Sequence, residues 1–115
     1  MVSKDITNVV LVVQQDQPSL IKVTKQLEEA GHVVRAYSNG REACTAISSG
    51  INYKLGIFDV VCGDIHGEHL LNLSKTKNPE VPVIIYTGYN IPNLPLADEL
   101  IPKPMNIMTV ARKYI

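Results

Sequence analysis

The sequence predicts an α/β fold, a doubly wound, five-stranded parallel sheet with helices on both faces. Two apolar runs, Val9–Val13 and Leu55–Phe58, have the length and uniformity of strands that are buried on both faces. Such runs alternate along the chain with segments of helical periodicity, which implies parallel strands joined by right-handed crossovers. The second and fifth runs are the least apolar and therefore belong at the edges, which gives the strand order 2-1-3-4-5.

Composition predicts one domain with a single core and no general electrostatic attraction to nucleic acid or anionic membranes. With 115 residues and 45% hydrophobic content, the chain is expected to form a single domain over residues 1–115. Eleven basic residues balance eleven acidic ones, so neither nucleic acid nor a membrane is an expected direct partner. No apolar run approaches the roughly 20 residues of a membrane span, and no signal-peptide pattern is present, so we expect a cytoplasmic protein. Cys44 and Cys62 lack metal-knuckle spacing and are interpreted as reduced thiols.

The first half of the chain carries clear helix boundaries. Pro18 suits a first helical turn, Gly31 suits a helix end, and between them apolar residues recur at helical spacing at Leu20, Val23 and Leu27. Residues 32–37 mix apolar and polar side chains, as is typical of an edge strand. Asn39 and Glu42 form a capping-box pattern, which predicts a short second helix.

The second half predicts a helix, two strands and a final helix. The third helix follows Gly67 and ends before Pro79, and residues 81–86 form the fourth strand. Residues 89–98 contain two prolines, so the fourth helix is expected to be shortened or absent. Residues 99–102 then predict a short fifth strand. A last amphipathic helix is indicated by Ile107, Val110, Ala111 and Tyr114.

Asp59 ends the most buried central strand, where open α/β sheets place their functional groups. An alternative role for this carboxylate is to cap the turn that follows. The predicted strand order brings several polar side chains to the same crevice at the carboxyl ends of the strands: Gln14, Gln15, Asp59, Thr87 and Lys103.

Five short motifs occur in an order that resembles the receiver domain of two-component response regulators, which has a CheY-like, flavodoxin-like fold. They are Val-Val-x-x-Asp-x-Pro at residues 12–18, Asn-Gly-x-Glu-Ala at residues 39–43, Asp59 with Gly67 eight residues later, Pro-Val-Ile-Ile-Tyr-Thr at residues 82–87, and Lys103-Pro104. The resemblance covers nearly the whole chain. It implies a phosphorelay signalling module rather than an enzyme, with a histidine kinase or phosphotransfer protein and an output domain or protein as partners.

The resemblance also assigns roles to three residues. Asp59 would accept a phosphoryl group, Thr87 would hydrogen-bond one phosphoryl oxygen, and Lys103 would pair with another. It further implies a cis peptide between Lys103 and Pro104. Taken singly, Thr87 also fits a strand-end hydroxyl, and Lys103 fits a solvated lysine before a helix.

The metal site departs from the family pattern. The two acids that hold Mg²⁺ in the family are replaced by Gln14 and Gln15, whose amides bring no negative charge. The resemblance leaves Asp59, the backbone carbonyl of Val61 and, less strongly, Asp16 as metal ligands, although Asp16 also fits a helix-terminus role. We therefore expect Mg²⁺ binding to be weak.

Other departures concern the signalling face. Leu100 stands where the family carries an aromatic switch residue, and the shortened fourth helix normally belongs to that face. The shortening itself resembles receivers attached to hybrid kinases. His66 and His69 lack a third ligand and are interpreted as a surface pair.

Three alternatives to a phosphoacceptor remain open. The first is a pseudo-receiver that binds protein partners without phosphorylation. The second is a flavodoxin-like protein that binds a small ligand such as FMN, although residues 14–18 are not the Ser/Thr/Gly-rich phosphate loop it would need. The third is a phosphatase-like enzyme, which would need an acid two residues after Asp59, where Val61 stands.

Overall fold

The structure is a computed structural model that describes residues 8–90 and 93–115. Five strands form the main sheet and two more form a small hairpin. The strands are β1 (Val9–Val13), β2 (Val33–Tyr37), β3 (Leu55–Phe58), β4 (Val61–Cys62), β5 (Ile65–His66), β6 (Val83–Thr87) and β7 (Glu99–Pro102). The helices are α1 (Gln17–Glu29), α2 (Gly40–Ser48), α3 (Gly67–Lys77) and α4 (Met108–Ala111).

The sheet has the predicted topology. All its strand pairs are parallel, and their order is β2-β1-β3-β6-β7, which corresponds to 2-1-3-4-5 when the hairpin strands are left out. Val13 pairs with Phe58, and Phe58 pairs with Ile85. The next row, just beyond these pairs at the carboxyl ends, therefore consists of Gln14, Asp59 and Tyr86.

Alternate residues of the central strands enter two apolar layers on opposite faces of the sheet. One layer packs under α1 and α4 and includes Val12, Ile57 and Tyr86. The other packs under α2 and α3 and includes Val13 and Phe58. Because side chains alternate along a strand, Gln14 and Asp59 follow on the α1 side, the same side as Tyr86.

Asn39 caps α2 as predicted, but Glu42 bonds to the Asn39 side chain instead of its backbone N–H, so only half of the predicted capping box forms. Asn39 Oδ1 accepts a hydrogen bond from the backbone N–H of Glu42 at 2.9 Å, and Asn39 Nδ2 donates to Glu42 Oε1 at 2.8 Å. Pro18 lies in the first turn of α1, and Gly31 follows that helix with a positive φ of 94°. The local sequence signals therefore set these helix ends as predicted.

Three elements differ from the predictions. The segment after Asp59 forms an antiparallel hairpin, β4 and β5, which the sequence pattern did not predict. Two-residue strands are too short to show periodicity, and Gly63, with φ of 71°, makes their turn. Strand β6 begins at Val83, after Pro82, and α4 ends at Ala111, before the predicted Tyr114.

The link between β6 and β7 contains no helix among its described residues, as predicted. Asp98 holds the end of this link. Its Oδ2 accepts hydrogen bonds from the backbone N–H of Val83 at 2.8 Å and from Lys75 Nζ at 2.7 Å, and its own N–H donates to the Val83 carbonyl at 2.9 Å. These three bonds fix where β7 joins the sheet.

Of the helices that the structure describes, none is long and apolar enough to cross a bilayer. The longest, α1, has 13 residues.

Candidate functional site

The centre of the candidate site is an ion pair between Asp59 and Lys103. Asp59 follows β3 and is only 3% exposed. Lys103 Nζ lies 2.9 Å from Asp59 Oδ2, and the other carboxylate oxygen accepts a hydrogen bond from the backbone N–H of Val60 at 2.7 Å. Each oxygen of the buried carboxylate therefore has a hydrogen-bond partner, and the pair has no net charge.

Backbone contacts fix the position of Lys103 at the end of β7. Lys103 follows β7, its backbone N–H donates to the Thr87 carbonyl at 2.8 Å, and its peptide bond to Pro104 is cis, as the resemblance implied. The Tyr86 hydroxyl donates to the Met105 carbonyl at 2.6 Å, and this hydrogen bond holds the segment that follows Lys103 and Pro104. Burial raises the pKa of Tyr86, so its phenol keeps this donated proton.

Two further groups lie beside the Lys103 ammonium. It is 3.8 Å from Asp16 Oδ2 and 5.6 Å from the centre of the Tyr86 ring, within the range of a cation–π interaction. Asp16 stands at the N-cap position of α1, where its carboxylate accepts a hydrogen bond from the Ser19 hydroxyl rather than from a backbone N–H. Asp16 thus serves the helix start and borders the site at the same time.

Thr87 is fully buried at the end of β6. Its hydroxyl oxygen accepts a hydrogen bond from the backbone N–H of Tyr89 at 3.1 Å, which leaves the hydroxyl hydrogen available for another acceptor. The side chain of Thr87 has no hydrogen bond to Asp59 or Lys103. Its predicted contact with a phosphoryl group stays a prediction.

Gln14 and Gln15 have very different environments. Gln15 is exposed, whereas Gln14 is fully buried and reaches from β1 across β3 to β6, where its Nε2 donates to the Tyr86 carbonyl at 3.3 Å. The Gln14 Oε1 atom is buried without a hydrogen-bond partner. A buried acceptor without a donor lowers the stability of a fold by about 1–3 kcal/mol. Burial of the Gln14 Oε1 atom is therefore unfavourable for folding.

The polar groups present do not fit Mg²⁺. Within residues 8–90 and 93–115, no three Asp, Glu, His or Cys side chains are grouped so that they could hold a metal ion. Asp59 is already neutralised by Lys103, and the Gln14 amide is tied to the Tyr86 carbonyl. Because Mg²⁺ is held mainly through carboxylates, these residues offer it few suitable ligands.

The backbone of Asp59 and Val60 is held by two hydrogen bonds that the sequence did not reveal. Cys62 Sγ donates to the Asp59 carbonyl at 3.2 Å. The backbone N–H of Gly67 donates to the Val60 carbonyl at 2.6 Å, and a Cβ atom at Gly67 would overlap the carbonyl oxygen of Asp59. Gly67 is therefore required by the close approach of α3 to the end of β3.

The pKa values of both thiols lie above the ordinary cysteine value. Burial, reinforced by the nearby charge of Asp59, raises the pKa of Cys62 to about 12. Burial also raises the pKa of Cys44, and both cysteines are free. A thiol that stays protonated is a poor nucleophile, which agrees with the interpretation of both residues as reduced thiols.

The remaining predicted residues are His66, His69, Leu100 and Val61. His66 and His69 are both exposed, as a surface pair should be. Leu100 is partly buried and packs against the layer under α2 and α3. Val61 belongs to the hairpin, where it pairs with His66.

A parallel sheet in this order, with a buried carboxylate and a lysine joined at its carboxyl edge, defines a receiver-type signalling domain. Residues 10–110 match the model of the family described as the response regulator receiver domain. The chain belongs to this family.

A curated relative and two solved structures illustrate the similarity. The chain is 28% identical over 100 residues to the transcriptional regulatory protein CusR of Escherichia coli K12, an alignment that covers 82% of the chain and 44% of CusR. It thus spans less than half of that relative. The response regulator TrrA of Thermotoga maritima, in complex with Mg²⁺ and BeF, is 26% identical with a TM-score of 0.80, covering 93% of this chain and 96% of TrrA.

The second structure is a CheY-like receiver domain protein from Methanospirillum hungatei. It is 27% identical with a TM-score of 0.77, and the match covers 94% of this chain and 90% of that protein. The family, the α/β class and the topology predicted from the sequence are therefore confirmed.

Proposed function

We propose that this chain is the receiver module of a two-component phosphorelay and that Asp59 is its phosphoacceptor. The observation that carries the proposal is the 2.9 Å contact between Asp59 Oδ2 and Lys103 Nζ at the carboxyl edge of the sheet. A receiver needs a carboxylate nucleophile and a cation to offset the charge of the incoming phosphoryl group. Both groups are present and buried together.

The transfer itself requires little covalent work from the protein. An oxygen of Asp59 forms a bond to phosphorus, the bond from phosphorus to the donor imidazole nitrogen breaks, and that nitrogen takes up a proton. Lys103 and the Thr87 hydroxyl hydrogen then stabilise the phosphoryl oxygens. A histidine kinase or a phosphotransfer protein would supply the phosphoryl group, and an output domain or partner protein would respond to it.

The metal-dependent part of this chemistry is proposed to be impaired. In the family pattern, two acids, the phosphoacceptor and one lysine give a site with net charge of minus two. Here Gln14 and Gln15 replace the acids, so Asp59 and Lys103 sum to zero. Weak Mg²⁺ binding is the expected consequence.

Intact-mass measurement after incubation with phosphoramidate and Mg²⁺ tests the proposal. The wild-type protein should gain one phosphoryl group, and the Asp59→Asn variant should gain none. Asp64→Asn is the matched control, because Asp64 is an exposed acid in the next hairpin turn. Equal labelling of Asp59→Asn and the wild type would contradict the proposal.

A pseudo-receiver that binds partners without phosphorylation is the second candidate. It is favoured by the loss of both acids at Gln14 and Gln15 and by the absence of a helix from the described part of the link between β6 and β7. In this case the wild type would gain no phosphoryl group, whereas a variant with both Gln14→Asp and Gln15→Asp would gain one.

A further inference from the structure

We propose that the Asp59 site handles its phosphoryl group without a divalent cation, and that the buried amide of Gln14 supplies a hydrogen bond in place of the metal. This inference rests on the proposed phosphorylation of Asp59. The residues of the site do not fit Mg²⁺, because the buried, uncharged amide of Gln14 stands where a carboxylate would be needed to hold the ion.

The position of Gln14 supports a direct role. Gln14 and Asp59 occupy the same row at the strand ends, one residue beyond the pair of Val13 and Phe58. To reach the Tyr86 carbonyl on β6, the Gln14 amide must pass over the end of β3, where Asp59 lies. The amide is therefore aimed across the site and not away from it.

The Gln14 amide has unused hydrogen-bonding capacity at this position. Its Nε2 carries two hydrogens but makes one hydrogen bond, and that bond is long at 3.3 Å. Its Oε1 has no partner although it is buried. A buried polar group in this state is satisfied by a ligand that brings its own acceptors and donors.

A phosphoryl group on Asp59 would meet three donors. The Lys103 ammonium has three hydrogens and uses one on Asp59 Oδ2. Thr87 has a free hydroxyl hydrogen, and Gln14 has a free amide hydrogen. One donor is thus available for each of the three non-bridging oxygens. No metal ion is needed to complete their hydrogen bonding.

The charges around the site only partly neutralise a phosphoryl group on Asp59. A phosphoryl group carries about −1.5 to −2 at neutral pH, whereas Lys103 brings a single positive charge. Asp16 adds an opposing carboxylate, since its Oδ2 lies 3.8 Å from Lys103 Nζ. The Asp16 side chain is 50% exposed, so it can turn into solvent when the phosphoryl group arrives.

Labelling with phosphoramidate in EDTA and in Mg²⁺ tests the inference on the whole chain. Wild-type labelling rates in the two conditions should differ by less than about tenfold, or about 1.4 kcal/mol of transition-state stabilisation. Gln14→Glu, which is nearly isosteric but replaces the donor with a charge, should be about a hundredfold slower in EDTA, the usual loss for one such donor. Mg²⁺ should restore its rate.

A second variant covers the case in which a buried glutamate prevents folding. Gln14→Met has a similar length, and it removes the unpartnered oxygen together with the donor. It should be slow in EDTA and equally slow in Mg²⁺, because it offers the ion no ligand. Gln26→Glu adds the same charge near the far end of α1 and should leave both rates unchanged.

The outcomes separate this inference from the proposed function. Wild-type labelling that occurs only with Mg²⁺ would overturn the metal-free site and leave the phosphoacceptor role standing. Labelling of Gln14→Met in EDTA at the wild-type rate would also overturn it. No labelling in either condition would contradict the phosphoacceptor role and this inference together.

Discussion

Lys103 and Asp59 are 44 positions apart in the chain, yet their charged atoms lie 2.9 Å from each other at one edge of the sheet. Their side chains are 14% and 4% exposed. At this depth neither charge is well solvated, so each depends on the other.

Removal of Lys103 should destabilise the fold. In Lys103→Met the buried Asp59 carboxylate loses its partner, and we expect the free energy of unfolding to fall by about 3 kcal/mol, as measured by urea denaturation. The double variant with Asp59→Asn should recover most of this loss, because no unpaired charge remains. Additive losses in the two single variants would show that the pair is not coupled.

The close approach at Gly67 predicts a second stability effect. In Gly67→Ala the new Cβ would overlap the Asp59 carbonyl oxygen, and backbone atoms cannot move aside cheaply. We expect a loss of about 1–3 kcal/mol or more in the free energy of unfolding. Gly88→Ala is the control, since its Cβ would meet only Lys103 Cδ at 3.9 Å; it should change stability by less than about 0.5 kcal/mol. An equal effect of the two substitutions would contradict the close packing of Gly67 against the Asp59 carbonyl.

The ion pairs of Asp98 and Asp64 are expected to contribute very differently to the free energy of unfolding. Asp98→Ala removes the acceptor for Lys75 and for the buried backbone N–H of Val83, which should cost about 1–3 kcal/mol in chemical denaturation. Asp64→Ala breaks a pair with Arg41 whose side chains are 47% and 78% exposed, and it should cost at most about 1 kcal/mol. The reverse ranking would show that the link between β6 and β7 is not held through Asp98.

The raised pKa of Cys62 predicts a dependence of stability on alkaline pH. Burial moves this pKa from its ordinary value of 9.0 to about 12, so the unfolded chain loses the thiol proton first as the pH rises. The contribution of Cys62 is complete below about pH 9 and declines as the pH approaches 12. Urea midpoints at several pH values should therefore fall more steeply for the wild type than for Cys62→Ser, whose hydroxyl does not titrate there. Parallel curves would place Cys62 in a polar environment instead.

Restoration of the two acids should restore metal binding. With Gln14→Asp and Gln15→Asp, the site would gain two negative charges, and Mg²⁺ at a hundred times its dissociation constant would stabilise the fold by about 2.7 kcal/mol. The wild type should show a much smaller rise in thermal midpoint at the same concentration. A matched variant with Gln26→Asp and Asn72→Asp adds the same charge within α1 and α3, away from the strand ends, and should behave like the wild type. Strong Mg²⁺ stabilisation of the wild type would contradict the charge argument.

The sequence predicted most of the fold because its strongest signals are local. Uniform apolar runs located β1 and β3, Asn39 and Glu42 located the start of α2, and two prolines excluded a normal fourth helix. It missed the β4–β5 hairpin, whose two-residue strands carry no periodic signal. It could not foresee the role of Asp98, because that carboxylate bonds to groups 15 and 23 positions away in the chain.

The candidate site divides in the same way. Its residue types, the loss of both acids at Gln14 and Gln15 and the resulting neutrality follow from the sequence alone, because formal charge is a property of composition. Only the tertiary structure decided which neighbours those groups meet. It buried Gln14 with an unpartnered oxygen, set Asp16 beside Lys103, and left the Thr87 hydroxyl hydrogen free, since such contacts depend on how strands distant in sequence align at one edge.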